Sequence, residues 1–271
     1  MTAPTTPALG GRPAVGTAVA VRRRLAALAR AELLLLGRNR GTVLVALLVP
    51  LSLPITVRPA IDQLDVKGKG LNTGVLMLTA AIGFSFLFAV YTSLVSAYVA
   101  RREELVLKRL RTGELADAEI LAGTALPAVC LGLAQALVLT AGCAVLLDAG
   151  APEAPYLTVL GLLTGLLISA ALAALTSAFT RTTESAQVTA LPLVFVSMLG
   201  SGVAVPADAL PDRVARAGEF LPLSPAVRLV RAGWTGELST GQALGTVLVA
   251  LAWTVVAVFA VRRWFRWEPR R

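Results

Sequence analysis

Residues 101–123 read RREELVLKRLRTGELADAEILAG and form the densest run of mixed charge in an otherwise apolar chain. Five basic and five acidic side chains fall within this stretch, and an apolar segment long enough to cross a bilayer lies on each side of it. Because charged side chains are costly in the hydrocarbon core, the stretch must lie outside the lipid. Its near-zero net charge argues against nucleic acid as a partner, since phosphate binding needs an uncompensated positive field.

The first half of this stretch has the features of a short helix. Residues 102–111 contain neither Gly nor Pro, and Glu104 and Lys108 have the i,i+4 spacing of a helical ion pair. Three apolar side chains would lie along one side of that helix: Leu105, Val106 and Leu110. Thr112-Gly113 then ends it. The pattern predicts a two-faced helix at the membrane surface, shaped to contact another protein.

Composition places the whole chain in the membrane. Of its 271 residues 56% are hydrophobic and 15% are charged, whereas a soluble domain carries about 25% charged residues. The chain has no histidine, and its two cysteines, Cys130 and Cys143, fall within one apolar segment without a metal-binding or disulfide pattern. These features indicate an integral membrane protein.

Hydropathy predicts an all-α polytopic protein with six membrane-spanning helices. Their approximate bounds are 41–57, 71–100, 121–147, 156–180, 187–205 and 243–261. The remaining segments are interpreted as a disordered tail (1–20), an amphipathic interfacial helix (21–40), the charged loop (101–120), an amphipathic segment that lies along the outer surface or re-enters it (206–242), and a C-terminal tail (262–271).

The distribution of basic residues predicts the orientation. With six spans both termini share one side with the charged loop, and that side carries 18 of the Lys and Arg residues against 7 on the other. The positive-inside rule therefore places both termini and the loop in the cytoplasm. The bias toward Ala, Leu, Gly, Arg and Val suggests a bacterial source, so we expect the membrane to be the bacterial cytoplasmic membrane.

Two side-chain patterns within the spans indicate packing or binding faces. Aromatic residues recur at helical spacing along the second span and form a candidate substrate path: Phe84, Phe88, Tyr91 and Tyr98. Packing between helices or contact with lipid is the alternative explanation. In the fourth span, Gly161 and Gly165 form a small-xxx-small pattern that lets two helix backbones approach closely.

Several kinds of catalytic equipment are missing from the sequence. It contains no phosphate-binding loop, no His-Glu-x-x-His motif and no Gly-x-Ser-x-Gly nucleophile elbow. No pair of carboxylates lies in the middle of a span. We therefore expect no enzymatic activity and no cofactor in this chain. If the protein moves a compound uphill, a partner must supply the energy.

Two stretches resemble the membrane subunit of type-2 ABC transporters, in the exporter class. Residues 101–111 with 114–123 are similar to that family's loop between its second and third helices, and residues 220–228, FLPLSPAVR, are similar to the stretch before its last helix. The family often has Gly-Thr where this chain has Leu105-Val106. The overall likeness, which extends from about residue 20, is nearest to the daunorubicin-resistance type of permease.

The resemblance implies a half-transporter in which the charged loop is a coupling helix that docks on a separate cytoplasmic ATPase, which would bind ATP and Mg²⁺. Six charged side chains would form the contact set: Arg102, Glu103, Glu104, Lys108, Arg109 and Arg111. It also implies a homodimer, or a pair with a related permease, that exports a drug or antibiotic. Two alternatives remain: a membrane anchor or scaffold without a transport path, and an exporter of a lipid-linked polysaccharide.

Overall fold

The computed structural model describes Ser52 and residues 72–112, 116–146, 150–201, 203, 212–265 and 267. Across these residues the chain is helical without any strand, and four helices are long and apolar enough to cross a membrane. The predicted all-α polytopic class is thus confirmed. The predicted span at 41–57 and the amphipathic helix at 21–40 lie outside the described residues apart from Ser52, so the count of six spans stays a prediction.

Eight helices are defined in the described part of the chain. They are α1 (Thr73–Glu103), α2 (Val106–Arg111), α3 (Asp117–Leu146), α4 (Pro155–Phe179), α5 (Thr183–Gly200), α6 (Asp212–Gly218), α7 (Ser224–Thr235) and α8 (Thr240–Trp264). The candidate membrane spans are α1, α3, α4 and α8. Helix α5 lies where the fifth span is predicted, but it has only 18 residues and is not among the four candidates.

The helix ends follow local capping chemistry. The Asn72 side chain accepts hydrogen bonds from the first backbone amides of α1, which satisfies donors that have no partner within the helix. Helix α3 begins at Asp117, earlier than the predicted start at 121. The carboxylate of Glu119 accepts a hydrogen bond from the backbone amide of Ala116 at 2.8 Å, which satisfies a donor at the start of the helix. The helix dipole also favours acidic side chains at this position.

Helices α1 and α4 form the centre of the packing. In their most apolar windows 72% and 61% of the residues are buried, against 28% in each of α3 and α8. Both central helices contact each other, and α3, α5, α7 and α8 pack around them. Hydrogen bonds cross between neighbours at three depths, joining Ser85 to Gln135, Tyr91 to Thr176, and Tyr98 to the carbonyl of Leu121.

Small residues explain how α4 can be central. Every fourth residue along one stripe of this helix is small and buried: Gly161, Gly165, Ser169, Ala173 and Ser177. A Cβ atom on Gly161 would lie 2.8 Å from the backbone oxygen of Ala226 and the backbone nitrogen of Val230 in α7, and one on Gly165 would lie 2.3 Å from the ring of Phe86. The close backbone approach expected from the small-xxx-small pattern is thus made between α4 and α7.

The middle of α1, Ser85–Thr92, is a π-helix. A π-helix has wider turns than an α-helix, so the residues on its two sides do not follow one continuous 3.6-residue face. The hydroxyl of Thr92 donates to the carbonyl of Phe88 at 2.8 Å, and that of Ser93 donates to the carbonyl of Val90 at 3.1 Å. These hydroxyls supply donors where the regular α-helical pattern is interrupted.

Helices α6 and α7 lie within the segment that was expected either to follow the surface or to re-enter it. The indole nitrogen of Trp253 donates to the carbonyl of Phe220 at 2.8 Å. Trp253 precedes the last residue of α8, Trp264, by 11 residues. The contact with Phe220 therefore lies about 16 Å from the C-terminal end of α8. Since α8 has 25 residues, this contact lies near the middle of the helix, and whether the segment re-enters the membrane or follows its surface stays a prediction.

Helix α7 buries the apolar face that its periodicity predicts. Leu223, Val227, Val230 and Trp234 are all at most 5% exposed, whereas Arg228 is half-buried and pairs with Glu219 at 3.3 Å. The helix packs mainly along the first turns of α4, where Gly161 leaves room for its backbone.

We expect the replacement Gly161→Ala to destabilise the fold. The added methyl group would overlap backbone atoms of α7, which cannot rotate away as a side chain can, at a cost of roughly 1–3 kcal/mol. The measurement is thermal unfolding of the purified protein in detergent. The matched control is Gly142→Ala in α3, where an added Cβ meets no atom within 4 Å. Equal melting temperatures for the two variants would contradict the tight α4–α7 contact.

Candidate functional site

The charged loop begins with a sharp turn. Helix α1 continues past its predicted end to Glu103, and α2 begins at Val106. Between them Leu105 adopts left-handed backbone angles, φ 61° and ψ 13°, which cost a non-glycine residue on the order of 1 kcal/mol. The continuous helix predicted over 102–111 is therefore wrong, because the chain turns at Glu104-Leu105. The family resemblance carried a signal for this turn, since its Gly stands where this chain has Leu105.

The turn changes which residues of α2 are buried. Leu107 is fully buried, while Val106 and Leu110 are half-buried and Leu105 is 40% exposed. Leu105 precedes α2 and is therefore not part of the helical side predicted with Val106 and Leu110, and its side chain stays exposed. Leu107 is the side chain of α2 that inserts into the rest of the protein.

Arg102 is the largest fully buried side chain in the described part of the protein, at 1% exposed. Its guanidinium donates to the carbonyl of Ser177 at 2.8 Å and to the carbonyl of Thr180 at 2.5 Å. Both carbonyls lie at the C-terminal end of α4, where helix carbonyls lack intrahelical partners and the dipole favours a cation. In this conformation Arg102 cannot contact a partner protein, so its place in the predicted contact set is corrected.

Glu103 makes the complementary contact with the next helix. Its carboxylate accepts hydrogen bonds from the backbone amide of Thr183 at 3.3 Å and from the Thr183 hydroxyl. Thr183 is the first residue of α5, where the free amides and the dipole favour an anion. The side chain remains exposed, so Glu103 is held within the chain and still lies at the surface.

Arg111 is also held within the chain. Its guanidinium forms a salt bridge to Asp117 at the start of α3, with a shortest distance of 3.1 Å, and lies over the ring of Trp267 with 5.0 Å from its central carbon to the ring centroid. Trp267 in turn contacts Phe265, whose ring meets that of Tyr98 edge-on. An exposed ion pair contributes about 0–1 kcal/mol, but these contacts together fix the direction in which α2 leaves the membrane.

The remaining members of the predicted contact set lie at the surface. Glu104, Lys108 and Arg109 are exposed, and the exposed side chain of Leu105 lies in the same short segment. We call these four residues the α2 surface. It combines charges of both signs with one apolar side chain, which suits recognition of a protein surface of complementary charge.

The four residues of the candidate substrate path differ in how deeply they are buried. Tyr91 and Tyr98 are at most 2% exposed and bond to neighbouring helices, so packing accounts for both. Phe84 and Phe88 stack with their ring centroids 5.8 Å apart, and Phe88 is 40% exposed. A role in transport stays a prediction, and Phe88 is the member of the set whose side chain reaches the surface of the single chain.

The burial of Arg102 could have been found in the sequence. Tyr91, Val95, Tyr98 and Arg102 continue one series with spacings of four, three and four, and all four are at most 2% exposed. Arg102 also belongs to the charged run that begins at Arg101, and this run hides its place in the buried series. The position of Trp267 beside Arg111 had no such signal, since 156 residues separate the two along the chain.

No cluster of three or more His, Cys, Asp or Glu side chains suited to a metal ion occurs within the described part of the chain. The cysteines are both free, with Cys143 buried and Cys130 half-buried. The chemistry available at the α2 surface is therefore that of charge and apolar contact.

Comparison with known proteins gives one family. No individually curated protein matches the chain. The family described as ABC-2 type transporter matches residues 23–234, a range that includes the first five predicted spans, the charged loop and most of the segment 206–242. A membrane domain of this family is a transport subunit and is not itself catalytic. The chain is a multi-pass membrane protein that belongs to the ABC-2 type transporter family, as the permease subunit of an ABC transporter.

Proposed function

We propose that this permease exports an amphiphilic small molecule, such as a drug or antibiotic, and that a separate ATPase subunit docks on the α2 surface. The observation that carries the docking proposal is the α2 surface: the exposed charges of Glu104, Lys108 and Arg109 lie on a turn and short helix that Leu107 anchors to the rest of the protein. ATP and Mg²⁺ would be bound by the ATPase, and this chain supplies the docking helix and the membrane path.

The geometry suits a mechanical link. Helix α1 has 31 residues and is thus about 46 Å long, and most of its apolar window is buried against other helices. Helix α2 follows it after a two-residue turn, with Leu107 inserted into the protein and Arg111 bound to Asp117. A displacement of α2 by an ATPase would therefore reach packed helices directly, because α2 has little freedom to move alone.

Export of an amphiphile is favoured by the apolar surface beside the π-helix. The stacked pair of Phe84 and Phe88 offers an aromatic face partly open to the surface, and stacking on such a face suits a planar drug. A polysaccharide exporter is less well supported, since aromatic residues make up 6% of the chain.

The proposed assembly contains two permease copies in the bacterial cytoplasmic membrane, with their termini in the cytoplasm. Support for the orientation comes from the 18 Lys and Arg residues on the side of the charged loop against 7 on the other. Large apolar side chains are exposed along α3, α5 and α8, among them Val145, Phe195 and Phe259. Lipid and a second copy are the occupants expected for these faces.

Docking on the α2 surface predicts that Glu104→Arg with Arg109→Glu releases the ATPase. The double reversal keeps the net charge but places like charges opposite one another across the interface, which costs several kcal/mol. The measurement is co-purification of the candidate ATPase subunit with the permease, and we expect its yield to fall at least tenfold. The matched control reverses two exposed charges in the segment 206–242, Arg213→Glu with Glu237→Arg.

The outcomes separate the remaining alternatives. If wild type retains no ATPase, the anchor or scaffold hypothesis is favoured. Equal yields from the α2 double reversal and from its control would place docking elsewhere on the chain. Leu105→Gly adds a second probe, because glycine accepts the left-handed turn while the exposed apolar side chain is removed. We expect this variant to fold normally and to retain less ATPase than wild type.

A substrate path past the aromatic pair predicts that Phe88→Ala weakens export. Loss of the ring removes the stacking partner and leaves Phe84 without its neighbour, so we expect efflux of a fluorescent anthracycline from cells to fall about three- to tenfold, equivalent to roughly 1 kcal/mol of binding. The matched control is Phe195→Ala on α5, also an exposed phenylalanine. Equal effects of the two substitutions, or none, would contradict the assigned path.

A further inference from the structure

Two adjacent side chains of opposite charge join the end of α1 to the connection between α4 and α5. Arg102 binds the carbonyls of Ser177 and Thr180 at the end of α4, and Glu103 binds the amide and hydroxyl of Thr183 at the start of α5. Each charge faces the helix end whose dipole it complements. We call these five residues the α4–α5 clamp.

The clamp has a strong and a weak half. Arg102 is 1% exposed, and its contacts are charge-assisted hydrogen bonds out of contact with solvent, which are worth more than neutral ones. Glu103 is exposed, so its bonds compete with water. A third contact also joins α1 to α5. The side-chain amide of Gln187 in α5 donates to the hydroxyl of Ser96 in α1 at 3.3 Å.

The position of the clamp relates it to α2. Glu103 is the last residue of α1, and the left-handed turn at Leu105 leads directly into α2. A force on α2 therefore meets the clamp first, before the rest of α1. Along the chain α2 is flanked by α1 and α3, whereas α4 and α5 begin 44 and 72 residues after its end; contacts in space must connect them.

We propose that Arg102 and Glu103 are positioning residues that make α4 and α5 move with α2. This inference rests on the proposed function, since it requires an ATPase that displaces α2. The charges do not touch the ATPase or the transported compound. They fix the α4–α5 connection to the end of α1, so that one docking event shifts three membrane helices together and not α1 alone.

The first experiment tests the clamp in the purified permease alone, by hydrogen exchange of the backbone amides at 183–186. Glu103→Ala removes the acceptor of the Thr183 amide at an exposed position, where the fold is retained, and we expect exchange at Thr183 to accelerate about tenfold, which corresponds to roughly 1.4 kcal/mol. Arg102→Met should accelerate exchange across the whole segment. The matched control, Arg181→Met, removes an exposed arginine of the same connection, and we expect no change.

The second experiment tests transmission in the complex of permease and ATPase. A bimane fluorophore is placed on α5 at Val188→Cys, which is 68% exposed, after Cys130→Ser and Cys143→Ala. Its emission is compared before and after vanadate trapping of the ATPase. We expect a shift in wild type and in Arg181→Met, and at most a fifth of that shift in Arg102→Met and Glu103→Ala, with ATPase co-purification unchanged in all four. Arg102→Lys keeps the positive charge but carries its donors on one nitrogen, whereas Arg102 binds the two carbonyls through two nitrogens. We expect this variant to recover part of the emission shift.

Each outcome has one meaning. A full shift in Glu103→Ala and Arg102→Met, despite faster exchange at 183–186, would overturn transmission through the clamp and leave the proposed function intact. If the bimane emission of the wild-type complex does not change on vanadate trapping, transmission through the clamp is overturned as well. Failure of the wild-type permease to retain any ATPase would overturn both the inference and the docking proposal.

Discussion

The close approach of α4 to its neighbours is the contact on which the other helices depend. In lipid, helices gain little from burying apolar side chains against one another, because the lipid tails are equally apolar, so close backbone packing and interhelical hydrogen bonds must hold them. The small-residue stripe of α4 provides this approach at two depths, where Gly161 meets α7 and Gly165 meets the ring of Phe86. With α4 in this place, α1 is enclosed, and the hydrogen bonds that Tyr91 and Tyr98 form with α4 and α3 fix its rotation.

The enclosed position of α1 also explains how a charged side chain can be buried at its end. Arg102 continues the buried face of Tyr98, and the carbonyl oxygens of Ser177 and Thr180 at the end of α4 accept hydrogen bonds from its guanidinium. The cost of removing the guanidinium from water is offset by two charge-assisted hydrogen bonds and by the helix dipole. The buried cation thus finds acceptors at a helix end whose dipole favours positive charge. At the surface, Glu103 likewise finds donors at the start of α5.

These contacts give the charged loop two different kinds of residue. Arg102, Glu103 and Arg111 bind within the chain and hold α2 in place, whereas the α2 surface of Glu104, Leu105, Lys108 and Arg109 faces outward. A docking helix needs both kinds. Charges that only reach outward would bind a partner without passing a displacement on, and charges that only reach inward would leave nothing to bind. The left-handed turn at Leu105 lies between Arg102 and Glu103 on one side and the charged residues of α2 on the other.

Hydropathy and charge alone determined that the chain is a polytopic helical membrane protein, where the charged loop lies between its spans, and which face of α7 is apolar. These properties follow from the cost of placing charge in lipid and from helical period, which act along the chain. The tertiary structure decided which charges of the loop are held inside, that Leu107 and not Leu105 anchors α2, and that Tyr91 and Tyr98 are packing residues. Those outcomes depend on groups far apart in sequence, such as Arg102 with Thr180 and Arg111 with Trp267. A charged residue in isolation is expected in water, and the carbonyl oxygens and dipole of a neighbouring helix end made burial of Arg102 the more favourable state.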